Sequence, residues 1–121
     1  MGMSIQNRSV LYEQPVPALV PEGVHEARLV NVRRFANAFG DRIGLVFEIV
    51  DGRHAGATIM QSARPANRGK LAELLHGMGA VEASTEAAER MIGRRCRIAV
   101  RHDATKAGRI YEAIVGTFPA S

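Results

Sequence analysis

The sequence has few of the residues on which many kinds of site depend. It contains one Cys and no Trp, and aromatic residues make up 5% of the chain. A single thiol cannot form an internal disulfide and has no partner thiol for a zinc site. The histidines are scattered, and no nucleophile stands in a pattern with a base. We therefore predict a non-catalytic protein that holds no metal and no cofactor.

Long hydrophobic runs are missing as well. No stretch approaches the roughly 20 apolar residues that a membrane-crossing helix needs. The N-terminus also lacks a charged segment that is followed by an apolar run and a cleavage site. We therefore expect a cytoplasmic protein with no membrane partner.

Positive charge is in excess. The formal net charge is +4 and the sequence pI is about 10.0, a balance that favours polyanionic partners. Lysine occurs only at Lys70 and Lys106, so arginine carries nearly all of this charge. GC-rich coding produces arginine-rich and alanine-rich sequences too, so the placement of the charges matters more than their sum.

The length of 121 residues gives room for one domain. Residues 1–21 contain Pro15, Pro17 and Pro21 and little periodicity, which predicts an extended N-terminal arm before a domain over residues 22–121. A short arm can add a strand to the sheet edge of a second copy. The sequence therefore leaves a homo-oligomer open.

Alternating apolar residues predict three strands in the first half of the domain. The first covers residues 24–32, and its alternation slips by one residue at Leu29 and Val30, which predicts a β-bulge. The third lies around residues 58–62. The second, over residues 42–50, has the clearest alternation, and its predicted core face consists of Ile43, Leu45, Phe47 and Ile49.

The period then changes to that of a helix. Leu71, Leu74, Leu75 and Met78 predict an amphipathic helix that is capped by Asn67. A shorter helix is predicted over residues 85–92, with Ser84 as its cap and Gly93 at its end. Alternation returns in the remaining sequence and predicts two more strands, which cover residues 95–101 and 110–118 and are joined by a polar loop over residues 102–108.

Three strands, a helical segment and two further strands follow one another in this prediction. That order is typical of the five-stranded Greek-key barrel that binds oligonucleotides and oligosaccharides, the OB-fold, in which a helix stands between strands 3 and 4. We therefore predict a mostly β protein with an OB-like barrel. Other small α+β folds share the same order.

Basic and aromatic residues fall where such barrels hold their ligands. An OB-fold binds its ligand across strands 2 and 3, between the loop that joins strands 1 and 2 and the loop that joins strands 4 and 5. Cationic side chains neutralise phosphates, and aromatic rings stack on bases. Basic residues also alternate along strand 4 and precede the first helix, whose N-terminal amides can hold a phosphate. The predicted nucleic-acid-binding residues are Arg33, Arg34, Phe35, Phe39, Arg42, Arg64, Arg95, Arg97, Arg101, Lys106, Arg109 and Tyr111.

A set of turn and strand features recurs along residues 23–119. These are Pro21-Glu22-Gly23 before the first strand, the strand and turn at residues 45–52, Gly56, Met91-Ile92-Gly93-Arg94-Arg95-Cys96, and the segment at residues 111–115. In these features the chain resembles a family of small proteins that are encoded by bacteriophages and mobile elements, near recombination and replication functions. Proteins of that family look like single-stranded DNA-binding OB-folds. The resemblance implies the same fold and function for this chain.

Two hypotheses about function follow. In the first, the protein binds single-stranded nucleic acid, DNA ahead of RNA, and serves replication or recombination of a phage or mobile element. In the second, it is an interaction or assembly module without affinity for nucleic acid, which uses the arm and the outer apolar residues Val46 and Val50. Under the second hypothesis the basic residues are only a solvated surface.

Overall fold

The computed structural model describes residues 19–121, which form one five-stranded antiparallel sheet and two short helices. The strands are β1 (Gly23–Asn37), β2 (Gly40–Ile49), β3 (Thr58–Ala63), β4 (Arg95–Ala104) and β5 (Ile110–Pro119). The helices α1 (Lys70–Gly77) and α2 (Thr85–Arg90) both follow β3 in the chain. The prediction of a mostly β protein is confirmed. Most of the predicted arm, residues 1–18, lies outside the described residues.

The long strand β1 is the centre of the sheet, whose strand order is β3-β2-β1-β4-β5. Residues 23–28 of β1 pair with β4, and most of the strand also pairs with β2. The β1–β2 register shifts between Leu29 and Asn31, so the predicted bulge is confirmed. A bulge bends its strand and increases the local twist. The bend lets one strand serve both halves of a curved sheet.

No backbone ladder closes the described sheet, because β3 and β5 are its two edges. The Gln61 side chain of β3 spans the gap between them. Its Oε1 accepts a hydrogen bond of 2.9 Å from the Ile114 N–H of β5, and its Nε2 donates to the Ser62 carbonyl oxygen at 3.1 Å. The two edges are therefore joined by a side chain.

Helix α1 packs directly against β5. The Thr117 hydroxyl donates a hydrogen bond of 2.6 Å to the Leu74 carbonyl oxygen. A Cβ atom at Gly77 would overlap with the hydroxyl and the carbonyl oxygen of Thr117, so the close approach depends on glycine. Neither described helix is long and apolar enough to cross a membrane.

The core lies between the inner face of the sheet and the helices. The predicted core face of β2 is confirmed, since its apolar residues are fully buried. Burying an aliphatic or Phe side chain stabilises the fold by about 1.5–3 kcal/mol. Val20 also packs in this core, and its carbonyl oxygen lies 2.7 Å from His102 Nε2, so the chain already belongs to the domain at Val20. The largest fully buried side chains include Leu29, Ile43, Leu45, Phe47, Ile49, Leu71, Leu74, Leu75, Ile98 and Ile114.

Some predicted boundaries were wrong. Asn67 does not cap α1, because the chain stays in a loop until Gly69, which is the N-cap with a φ of 80°. The predicted cap of α2 is confirmed, since Ser84 Oγ accepts a hydrogen bond of 2.9 Å from the Ala87 N–H, although the helix ends at Arg90. Strand β1 runs to Asn37 and β4 to Ala104, because hairpin pairing continues beyond the last buried side chains.

Candidate nucleic-acid interface

Three strands present one surface opposite the core. Arg33 lies across from Gly44, Phe35 from Arg42, Ser62 from Gly44 and Met60 from Val46. Directly opposite residues in neighbouring antiparallel strands point to the same side of a sheet. We call this surface the β1–β3 outer face, and it consists of Arg33, Phe35, Arg42, Gly44, Val46, Met60 and Ser62. Arg33 and Phe35 were predicted beside a loop, but they lie in the paired part of β1.

Phe35 and Met60 both lie over Gly44 on this face. A Cβ atom at Gly44 would lie 2.6 Å from Met60 Sδ and 3.4 Å from Phe35 Cε1. Phe35 is 37% exposed and Met60 is 42% exposed. We call this pair the apolar platform. An exposed ring of this kind can stack on a base, which contributes roughly 1–3 kcal/mol.

Met60 was not predicted as a site residue. An outward Met in an alternating strand has no sequence signal of its own. The sequence feature that could have indicated a contact here is Gly44, because a glycine inside a strand often marks a close approach by another group.

Two arginines, Arg33 and Arg42, flank the platform. Arg33 is exposed, and its side chain makes no hydrogen bond or ion pair with residues 19–121. Arg42 is more constrained, since its Nη2 donates a hydrogen bond of 3.0 Å to Ser62 Oγ. Its Nε is buried and has no hydrogen-bond partner in the described part of the chain. Arg42 therefore retains an unused donor beside the platform.

A cavity of about 630 Å³ opens at the end of this face. The ends of β2 and β3 line one side of it, and the loop over residues 64–69 with the start of α1 lines the other. We call it the basic cavity, because its lining contains no Asp or Glu and its charged residues are Arg42, Arg64, Arg68 and Lys70. A second cavity of about 550 Å³ is lined by Arg34, Phe35, Asp41, Arg42 and Pro65 among others, so Arg34 borders the same cavity as Phe35 and Arg42.

Arg34 lies on the other side of β1. It is directly across from the buried Ile43 and therefore points to the inner side of the sheet. Its Nη2 lies 3.2 Å from Glu89 Oε1 and 3.9 Å from Glu86 Oε2, both in α2. These carboxylates neutralise the Arg34 charge, so Arg34 joins α2 to β1 and does not belong to the β1–β3 outer face.

Glu48 is the acidic residue on the outward side of β2. Its Oε1 lies 2.9 Å from Arg28 Nη2 on the neighbouring strand. An exposed ion pair of this kind contributes little to stability. It does neutralise the negative charge that would otherwise repel a phosphate on this side of the sheet.

The predicted cations of β4 lie on the other half of the sheet. Arg95 is across from Arg28, and Arg97 is across from Glu26. Arg97 is held in place, since its Nε donates a hydrogen bond of 3.0 Å to the Pro119 carbonyl oxygen and its guanidinium lies 5.8 Å from the centroid of the Phe118 ring. Arg95, Arg97 and Arg101 therefore belong to β4, which pairs with β1 and β5 and not with β2 or β3.

The remaining predicted residues lie at the tips and ends of the hairpins. Phe39 is 88% exposed in the turn between β1 and β2. Lys106 and Arg109 are exposed in the turn between β4 and β5. Tyr111 is across from Asp103 and is exposed near the start of β5.

Cys96 has an environment that suppresses thiol chemistry. Burial, followed by the nearby Glu26 carboxylate, raises the pKa of Cys96 from 9.0 to about 11. The thiol is therefore protonated at neutral pH and is a poor nucleophile or metal ligand. Within residues 19–121, no three His, Cys, Asp or Glu side chains come close enough together to hold a metal ion.

The structure thus brings Arg33, Phe35, Arg42 and Arg64 together with Met60 and the basic cavity. This surface combines a small apolar platform with cations that have few acidic neighbours. No family model matches the chain, and no curated protein is significantly similar to it.

Proposed function

We propose that this protein is a non-catalytic, cytoplasmic, single-stranded nucleic-acid-binding protein. The strand lies across the β1–β3 outer face and reaches the basic cavity. The observation that carries the proposal is the position of the apolar platform between Arg33 and Arg42. Cations contact the phosphates, and the platform stacks on a base.

The arrangement of the strands supports an OB-like barrel. Strand β1 pairs with both β2 and β4, and Gln61 joins the edge strands β3 and β5. Both helices stand between β3 and β4 in the chain, as the helix of an OB-fold does. Strands 2 and 3 of OB-folds form the ligand-binding surface. In this protein those strands contribute Arg42 and Met60 to the β1–β3 outer face.

A single strand fits this surface better than a duplex does. Bases in a duplex are stacked on one another, whereas an unpaired strand offers its base faces to a ring such as Phe35. We propose DNA as the natural ligand, ahead of RNA. Service in the replication or recombination of a phage or mobile element follows from the resemblance of residues 23–119 described above.

A second candidate function has an observation of its own. Val24 lies across from Ala99, which lies across from Gly116, and the Phe118 ring leans over Gly116. Val24 is 55% exposed and Phe118 is 41% exposed. This apolar strip favours an assembly module that docks through the β1, β4 and β5 half of the sheet and binds no nucleic acid.

Fluorescence anisotropy separates the two functions. Labelled single-stranded DNA, single-stranded RNA and duplex DNA are titrated with the protein at several salt concentrations. We expect preference for single strands and an affinity that falls steeply with salt. Phe35→Ala should weaken binding of single strands about 5-fold to 150-fold, since it removes a stacking contact worth roughly 1–3 kcal/mol.

Arg53→Ala is the matched control for Arg33→Ala, because Arg53 is exposed in the turn between β2 and β3. We expect Arg33→Ala to weaken binding clearly more than Arg53→Ala does. Absence of binding at low salt would overturn the proposal and favour the assembly module. Equal binding of duplex and single strand, with no effect of Phe35→Ala, would also contradict it.

A further inference from the structure

The basic cavity holds more positive charge than one backbone phosphate requires. Arg42, Arg64, Arg68 and Lys70 all line it, and no carboxylate does. A phosphate within a nucleic-acid chain carries a single negative charge. A phosphate monoester carries about 1.5 to 2 negative charges at pH 7 and has three terminal oxygens. The charge of the cavity is therefore better matched by a monoester.

The start of α1 adds backbone donors to this charge. Gly69 is the N-cap, and no side chain caps the helix there. The N–H groups of the first turn, from Lys70 to Ala72, have no carbonyl partner inside the helix. Such groups and the helix dipole stabilise an anion that lies at the N-terminus.

Arg42 supplies an independent observation. Its Nε is buried and has no hydrogen-bond partner among residues 19–121, and it is the one buried side-chain N or O atom in that range of which this is true. Its Nη2 is fixed by Ser62, which also lines the cavity. A buried N–H without an acceptor is unfavourable, so Arg42 would gain a hydrogen bond if a movement of its side chain brought Nε to an oxyanion bound in the cavity.

The size and place of the cavity indicate where the phosphate comes from. About 630 Å³ is within the range of small-molecule sites, so the cavity has room for a sugar as well as its phosphate. Arg42 borders both the cavity and Phe35 of the platform. The loop over residues 64–69 forms the far wall, at the end of β3. A strand that lies on the β1–β3 outer face and runs towards α1 therefore reaches this wall.

We propose that the basic cavity binds the terminal phosphate monoester of a single strand whose adjoining bases lie on the apolar platform. The inference rests on the proposed function and adds that the protein recognises strand ends. Free mononucleotides carry the same monoester, so the test must separate these two sources.

The test compares oligonucleotides of one sequence and length that carry a 5′-phosphate, a 3′-phosphate or only hydroxyl ends. Each is titrated in fluorescence anisotropy at constant salt, and a nucleoside monophosphate is used as a competitor. We expect one phosphorylated end to bind about tenfold more tightly than the hydroxyl end, as a charge-assisted contact would produce. The preferred end then gives the polarity of the bound strand.

Variants connect this preference to the cavity. Arg68→Ala with Lys70→Ala should remove the preference for the phosphorylated end. Because both cations also attract a strand without a terminal phosphate, the hydroxyl-ended strand should weaken too, but by a smaller factor than the phosphorylated strand. Phe35→Ala should weaken both strands by the same factor. Arg53→Ala with Arg90→Ala removes two exposed charges outside the cavity and is the charge-matched control. Circular dichroism confirms that each variant is folded. Amide NMR shifts at Lys70, Leu71 and Ala72 on addition of the phosphorylated strand give a second readout.

The outcomes distinguish failure of the terminal-phosphate site from failure of the proposed function. If phosphorylated and hydroxyl-ended strands bind equally, the terminal-phosphate site is overturned and the proposed function stands. If the mononucleotide binds and no oligonucleotide does, both the proposed function and the strand-end site are overturned. A preference that survives Arg68→Ala with Lys70→Ala would overturn the assignment to this cavity.

Discussion

At the scale of single residues, Gly44 determines the shape of the proposed stacking surface. It lies in β2 without a positive φ, so alanine fits its backbone. The added Cβ would displace Met60, whose side chain is flexible, and would press against Phe35. A substitution at Gly44 can therefore change the apolar platform while the protein still folds.

We expect Gly44→Ala to cost at most about 1–3 kcal/mol of unfolding free energy, as overpacking does, and to weaken single-strand binding by displacing Met60 from the platform. Anisotropy and urea denaturation measure the two effects. Gly116→Ala is the control, since its Cβ would make an ordinary contact of 3.7 Å with Phe118 on the other half of the sheet. Unchanged binding in Gly44→Ala would remove the platform from the interface.

The Cys96 thiol gives a prediction about pH. Burial, and then Glu26, raises the pKa of Cys96 from 9.0 to about 11, so the folded state keeps its proton more tightly than the unfolded state does. The resulting stabilisation is complete below pH 9 and is lost as the pH rises towards 11. A shift of this size corresponds to roughly 1–3 kcal/mol.

Urea denaturation of the wild type and of Cys96→Ala between neutral and alkaline pH measures this effect. We expect the stability of the wild type to fall more steeply above pH 9 than that of the variant. A thiol reagent at pH 8 should label Cys96 slowly in the native protein and rapidly in denaturant. Rapid labelling of the native protein would contradict the buried environment.

At the scale of elements, the contact between α1 and β5 depends on the absence of a side chain. Gly77→Ala places a Cβ against the Thr117 backbone, which cannot move aside as a flexible side chain can. We expect a loss of about 1–3 kcal/mol in unfolding free energy, although alanine favours a helix by about 1 kcal/mol over glycine. Urea denaturation measures the loss.

His76→Ala is the control for this change, because His76 is exposed on the same helix. We expect it to remain within about 0.5 kcal/mol of the wild type, as most surface substitutions do. A stabilised Gly77→Ala variant would show that α1 can move away from β5 at no cost.

Elements with a buried face could be predicted from the sequence, and exposed ends could not. The alternation of β2 and the slip at Leu29 predicted a strand and a bulge, because burial imposes a period on those residues. The last residues of β1, up to Asn37, are exposed on both sides, so their pairing leaves no hydrophobic pattern. The predicted cap at Asn67 failed because Gly69 takes the φ of 80° that starts α1.

The candidate site was predictable only in part for a similar reason. Charge and aromatic character identified Arg33, Phe35 and Arg42, which lie together on the β1–β3 outer face. The same criteria also selected Arg34, but the bulge at Val30 decides that Arg34 points inward to Glu89. Met60 has neither charge nor an aromatic ring. Its role depends on its place beside Gly44, which only the register of the strands reveals.

At the scale of the whole molecule, ion pairs neutralise part of the positive charge. Several arginines away from the platform are neutralised by nearby carboxylates: Arg28 by Glu48, Arg34 by Glu89 and Arg90 by Glu82. The basic cavity has no such partners in its lining. The cations of the basic cavity therefore remain available to a polyanion at the end of the β1–β3 outer face.

The bridge between Gln61 and Ile114 has a consequence for the solubility of the protein. Sheet edges with unpaired N–H groups are templates on which a second chain can add a strand and begin aggregation. At Ile114 that N–H is already used by Gln61 of the same molecule. Gln61→Leu keeps the size of the side chain and removes both of its hydrogen bonds.

We expect Gln61→Leu to speed hydrogen exchange at Ile114 and to produce self-association that increases with concentration, as detected by light scattering. Gln61→Glu retains an acceptor oxygen and should stay closer to the wild type. A variant that exchanges and scatters like the wild type would contradict this role. The Gln61 side chain therefore determines whether the edge of β5 is occupied within the molecule or is free to pair with a strand of a second molecule.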